Sequence, residues 1–396
     1  MSPTQLRRYL FICLLNFGVA ALLGVALRYS SIAWLPIRYS HFTHAHSHTA
    51  MLGWAYQALF CLLVYFFMPQ GGRKYRRLFW ATQLSVFGIM GSFPVQGYGP
   101  VSITFSTLHT IFAYIFVLAA WREALCATPE IRRLLRTALV FFVLSTLGVW
   151  CLPPCLLIWG KDSVPYQLAI QFYLHFQFNG WFAAAVGALY MQWRQQQFGP
   201  VLQHSFFKNF WYLFSGGTAL TFFLPVSWYV PEAWVASLNG LGLCFQLGAL
   251  YYFLKWAGPK QRPFASWLSR ILFLFLLSGL LLKLLFQSLT FLPPLADMAR
   301  IQPYRIGFIH VSMLAFLSGF LLLIFAELLR WHLQKGIAFV AFALFISGFL
   351  LTELLLFTQA FAIPCLSSNT YFGLLFTGSL LLFSGILGFI ILLWRR

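Results

Sequence analysis

Three apolar stretches of the chain open with one pattern: a histidine, four residues, a glycine or alanine, then an aromatic residue. The copies are His48-TAML-Gly53-Trp54, His175-FQFN-Gly180-Trp181 and His310-VSML-Ala315-Phe316, each close to a third of the chain from the next. An imidazole inside a hydrophobic span is costly, so a repeated one needs a reason. Neutral imidazole is the commonest protein ligand for transition metals and a standard axial ligand of haem iron. Small residues beside it let helix backbones approach and open a flat slot, and the aromatics pack on a ring system. The same residues also suit ordinary helix packing in membranes. His109 is a fourth imidazole in an apolar run. The residue types therefore point to a transition metal held by imidazole, with haem iron as the leading expectation.

The elements that must position these side chains are membrane helices. The chain is 61% hydrophobic and 8% charged, against about 25% charged in ordinary soluble proteins, and its mean hydropathy is +0.80. A helical span needs roughly 20 apolar residues. Such runs cover about 8–28, 45–68, 77–98, 101–121, 134–158, 166–193, 206–227, 233–256, 266–291, 304–329, 337–360 and 371–394. The expectation is an all-α membrane protein of twelve transmembrane helices in three pseudo-repeated four-helix arcs, one integral membrane domain over 1–396. The connecting loops are too short for a soluble domain. Arg7 and Arg8 precede the first span, but no small-residue cleavage site follows it, which argues against a removed signal peptide.

Charge placement orients the chain. With the N-terminus inside, Arg7, Arg8, Arg73, Lys74, Arg76 and Arg77, then Arg132, Arg133 and Arg136, fall on the cytoplasmic side, as do most other cations. Only Arg28, Arg38, Lys161, Arg300 and Arg305 fall outside. This obeys the positive-inside rule and predicts cytoplasmic termini in a bacterial inner membrane. The net charge of +19 is then a topology signal, suited to a lipid bilayer with anionic headgroups. Basic residues dispersed among loops argue against nucleic acid. In this topology His48, His109, His175 and His310 share the outer half of the bilayer.

His46 and His48 are two residues apart and point to different helix faces. His41, His44 and His48 share a face if the second helix extends that far back. Cys151-Leu-Pro-Pro-Cys155 suggests a helix break, with a disulfide or metal contact as a conceivable use.

At the segment His46-SHTAML-Gly53-Trp54-AY-Gln57, the sequence resembles the catalytic subunit of the haem–copper oxidase superfamily. The likeness is to its cytochrome-c-oxidising and nitric-oxide-reductase branches, and the His46-Ser-His48 run is also similar to the compact NnrS-type haem membrane proteins. The resemblance implies twelve spans, cytoplasmic termini and a low-spin haem b on the histidine seven before the glycine, here His46. His310 matches the second histidine of the family's span-ten pair, and Phe308 stands where the first would be. His175 matches the copper-binding histidine, while 206–226 holds no histidine pair. A complete oxygen-reducing site is therefore not expected.

Two ionisable residues remain within spans. Lys283 and Glu353 suit a structural ion pair or a proton relay. Arg300 and Arg305 are candidates for haem propionates. Gln57, Gln83, Gln177 and Asn179 suit imidazole orientation or helix–helix hydrogen bonding. The leading expectation is a haem-b protein with His46 or His48 and His310 as axial ligands, and His175 with His109 at a second haem or copper. Its role would be respiratory electron transfer or a nitric-oxide or oxygen response, as an oxidoreductase on a diatomic gas if an iron position is open. Its partner would be a cytochrome or quinol electron donor. A proton-coupled transporter and an oxidase-assembly accessory protein are the alternatives.

Overall fold

Helix starts are written into the sequence. In the computed structural model, which describes residues 1–199, 204–257, 264, 266–331, 335–360 and 367–394, helix α1 spans Pro3–Tyr29. Ser2 caps it reciprocally: its hydroxyl accepts from the Gln5 amide while the Gln5 side chain accepts from the Ser2 amide, both at 3.2 Å. Thr128 and Ser163 cap two later helices one-sidedly, their hydroxyls accepting from the Ile131 and Tyr166 amides, each with a proline in the first turn.

The other long helices are α2 (Tyr39–Phe67), α3 (Gly72–Gln96), α4 (Pro100–Glu123), α5 (Pro129–Trp159), α6 (164–198), α7 (His204–Leu220), α8 (Ala233–Ala257), α9 (Trp267–Leu289), α10 (Gln302–Leu328), α11 (Lys335–Ala360) and α12 (Ser368–Trp394). Short helices Phe223–Ser227 and Pro293–Met298 lie between them. No strand occurs among the described residues.

Among the described residues ten helices are long and apolar enough to cross a membrane. The two expected spans outside that set are also helical. α7 has 17 residues, beginning at His204 directly after the undescribed 200–203. α6 carries Gln171, His175, Gln177 and Asn179 across its middle.

Two expectations about helix ends change. α2 begins at Tyr39, so His41, His44, His46 and His48 are all helical. α5 continues through Pro153 and Pro154 to Trp159 instead of breaking. Each proline removes one backbone donor and its intrahelical bond, a loss that helices in a membrane protein tolerate. Cys151 and Cys155 are both free thiols, the first exposed and the second buried.

The chain divides into two compact units. The first comprises Met1–Ala120, Ser266–Leu276 and Leu314–Arg396; the second, Trp121–Ala265 and Leu277–Met313. In the first, α1 packs on α2 and α12, and α12 on α11. In the second, α5 packs along α6, and α7 along α8. Within this second pair the backbones approach closely: a Cβ on Gly217 would lie 3.1 Å from the Gly242 carbonyl. His332, Lys260, Arg262, Arg395 and Arg396 lie outside the described residues.

Candidate functional site: three histidines at the head of three π segments

Each copy of the histidine pattern coincides with the same departure from α geometry. His48 is followed by a π-helical segment at Thr49–Tyr56, His175 by one at Phe176–Phe182, and His310 by one at Val311–Ser318. π turns are rare and concentrate at functional sites, because the extra residue re-aims the side chains that follow. Three of them directly after three matched histidines make the sequence repeat a structural repeat. The glycine or alanine lies inside the π turn each time, at Gly53, Gly180 and Ala315.

In the first unit an amide enters that turn. Asn16 of α1 is buried and donates through Nδ2 to the Gly53 carbonyl at 2.8 Å. The same amide donates to Gln83 Oε1 at 2.9 Å and accepts from Gln83 Nε2 at 3.1 Å. Gln57 accepts from the Thr82 hydroxyl at 3.2 Å. Gln57 and Gln83 thus join helices to one another instead of orienting imidazoles. Trp54 donates from Nε1 to Ser318 Oγ at 2.8 Å and stacks on Phe17 with centroids 4.5 Å apart. Asn16 and Ser318 carry no sequence signal beyond being polar in apolar runs; only the fold brings them to the π segments.

The histidines of α2 occupy two faces. His41, His44 and His48 share one, as the helical spacing requires. There the His48 ring stacks on Phe93 at 4.4 Å, His44 lies 4.5 Å from the Tyr98 ring, and His41 Nδ1 is 3.2 Å from the Val95 carbonyl. His48 Nδ1 meets the His44 carbonyl one turn back at 3.0 Å, and its Nε2 is 3.4 Å from the Tyr98 hydroxyl. His46 faces α1 instead. Its Nδ1 lies 2.8 Å from the Ala20 carbonyl, and its ring is pressed so near Gly24 that a Cβ there would fall 3.1 Å from Cε1. A ring nitrogen on a backbone carbonyl orients the imidazole and turns Nε2 into the lone-pair side, the arrangement typical of metal-ligating histidines.

His109 has the same arrangement in a deeper place. It is buried, bonds the Leu52 carbonyl, and packs edge-on to Tyr56 at 4.7 Å. Its Nε2 has no hydrogen-bond partner. A buried ring nitrogen without a partner is costly in a closed protein interior and fits an axial or metal ligand.

His175 is arranged differently. Its Nε2–H donates to the Thr218 carbonyl at 2.7 Å, and Asn179 Nδ2 donates to Nδ1 at 3.1 Å. α7 ends at Leu220, so the Thr218 carbonyl is one of the terminal acceptors without an intrahelical donor, and His175 supplies one. With both nitrogens engaged, this ring offers no lone pair to an ion as placed. Asn179 therefore does orient an imidazole, while Gln177 accepts from Ser145 at 2.9 Å.

The remaining residues are spread more widely. His310 closes the α-helical part of α10 and is half-buried. Arg300 is exposed and 3.8 Å from Asp297; Arg305 is exposed too. Lys283 is buried in the second unit within coulombic range of His175, and Glu353 is buried in the first within range of Arg28. Among the described residues no three of His, Cys, Asp and Glu form a metal-ion cage. A haem, by contrast, takes only one or two axial side chains.

Helix length, composition and buried polar joints together define a multi-pass α-helical protein of a lipid bilayer. No family model matches the chain, and no curated protein matches it in sequence.

Proposed function

We propose that the protein binds haem b on an oxidase-like helical scaffold, crossing a bacterial inner membrane twelve times with both termini cytoplasmic. Its role in this reading is respiratory electron transfer or a nitric-oxide or oxygen response, without a complete oxygen-reducing site. The observation that carries it is the placement of matched histidines at the head of three π segments. Two further imidazoles, at His46 and His109, are each tethered by a backbone carbonyl. These two are the side chains best prepared to hold iron, and His310 is the third candidate through the oxidase resemblance. Bound haem supplies one-electron chemistry and, where an axial position stays open, a seat for a diatomic gas. The protein's own groups orient the imidazoles and, through the apolar π segments, exclude water.

The test is a reduced-minus-oxidised spectrum and haem quantification on purified protein, beside His46→Ala, His48→Ala, His109→Ala, His175→Ala and His310→Ala. Haem content is expected to fall at least tenfold in His46→Ala and to persist in His175→Ala. Wild-type protein, expressed with ample haem, that shows no haem bands overturns the reading. The burial of Lys283 and Glu353 favours one other function, proton-coupled transport. That reading predicts haem-free protein whose proton-driven uptake is lost in Glu353→Gln.

A further inference from the structure

A second site lies at the opening turns of α5, away from every candidate histidine. Arg132, Arg133 and Arg136 occupy adjacent positions on its exposed face. Two of them are held by indoles: the Arg133 guanidinium sits 5.3 Å from the Trp211 ring, and that of Arg136 sits 4.8 Å from the Trp121 ring. Trp211 is itself fixed, donating from Nε1 to Thr137 Oγ1 at 2.8 Å. Arg132 reaches the Cys126 thiol. Among the described residues these three guanidiniums contact indole and thiol groups, not a carboxylate. Residues 121–137 also hold Arg122, against Glu123 and Glu130, so the surface is net cationic.

Stacking on indole consumes the face of a guanidinium and leaves its N–H edge open, the edge that pairs with phosphate in bidentate fashion. Holding the side chain in place also reduces the rotamer entropy lost on binding. Directly along α5 from Arg136 runs an exposed apolar stripe at Val140, Val143, Leu147 and Trp150, spaced four, three, four and three residues apart on one helix face. Val140 is 52% and Leu147 49% exposed, which suits acyl chains and not water. A cationic head above an apolar stripe about 15 Å long, the depth of one leaflet, matches one class of molecule in charge and in shape.

We infer that this face binds an anionic phospholipid. Its phosphate pairs with Arg132, Arg133 and Arg136, and its acyl chains lie along Val140–Trp150. The tryptophans hold the arginines at headgroup level, where indoles partition and where such basic pockets meet anionic lipid.

Full-length protein in neutral detergent, titrated with phosphatidylglycerol or phosphatidylcholine, tests this by thermal unfolding and by native mass spectrometry of retained lipid. Phosphatidylglycerol is expected to raise Tm and to stay bound, and phosphatidylcholine to do neither. Each arginine replaced in the series Arg132→Gln, Arg133→Gln and Arg136→Gln should weaken apparent affinity about fivefold. Arg76→Gln with Arg77→Gln, on a different helix, should leave it unchanged. Equal stabilisation by phosphatidylcholine, an equal response to inorganic phosphate alone, or undiminished phosphatidylglycerol retention in the triple variant each overturns the assignment. Unchanged lipid-free Tm in the triple variant separates lost binding from lost folding.

Discussion

The first and second π segments begin from almost the same residues and end in different states. Both follow a histidine, and both carry Gly-Trp. Around the first, two polar groups of the turn are answered by distant helices: Asn16 serves the Gly53 carbonyl and Ser318 serves the Trp54 indole. Around the second, the histidine itself is the answering group, closing the end of α7 through Thr218. There the indole is left over, with Trp181 Nε1 buried and without a hydrogen-bond partner. One motif therefore sets its histidine against the Phe93 and Tyr98 rings in one unit and uses it as a structural donor to another helix in the other.

Three sets of substitutions break or sharpen this contrast. The largest effect is expected at the histidines. His175→Ala leaves the Thr218 carbonyl only a long 3.4 Å bond from the Thr221 hydroxyl, strands the Asn179 amide and should cost about 3 kcal/mol. His48→Ala loses a half-buried ring whose Nδ1 contact is with its own helix, and should cost about 1 kcal/mol. Reversible unfolding in mixed detergent measures both, and equal costs would erase the distinction between the two rings.

The glycines come next. A Cβ at Gly180 would lie 2.6 Å from Phe141 Cγ, whereas at Gly53 the nearest atom is Val86 Cγ1 at 2.9 Å. An aromatic ring wedged between helices yields less readily than a valine methyl. Gly180→Ala is expected to cost about 2 kcal/mol and Gly53→Ala about 1 kcal/mol, by the same unfolding assay. The reverse ranking would mean that Phe141 moves aside freely.

The smallest effect is the most diagnostic. Trp54→Phe removes a donor that has a partner and should destabilise by about 1 kcal/mol beyond the loss of ring area. Trp181→Phe removes a donor that has none and should cost only the ring area. Comparable losses at the two positions would show that Trp181 Nε1 finds a partner in the membrane.

Much of this architecture is legible in the residues. Length and hydropathy announce a multi-pass helical protein because a bilayer demands long apolar helices, and among the described residues ten helices meet that demand. The spacing of His41, His44 and His48 places them on one face, and α2 extends far enough to make that face real. Asn179, four residues or one turn from His175, is among the amides suited to orienting an imidazole and acts as one. Other features were hidden. A proline pair reads as a break, yet α5 passes through it, because losing two backbone donors does not by itself end a helix packed in a membrane protein. The π turns have no composition of their own, so neither Thr49–Tyr56 nor its two counterparts could be distinguished from α-helix by period.

Sequence by itself determined the class of protein, the registers of its helices and the repetition of one histidine pattern, since these follow from local period and from the cost of burying polar groups in lipid. Tertiary structure alone decided the fate of each copy. Whether an imidazole keeps a lone pair or spends both nitrogens depends on which carbonyls and amides distant helices bring within about 3 Å, and no local spacing encodes that.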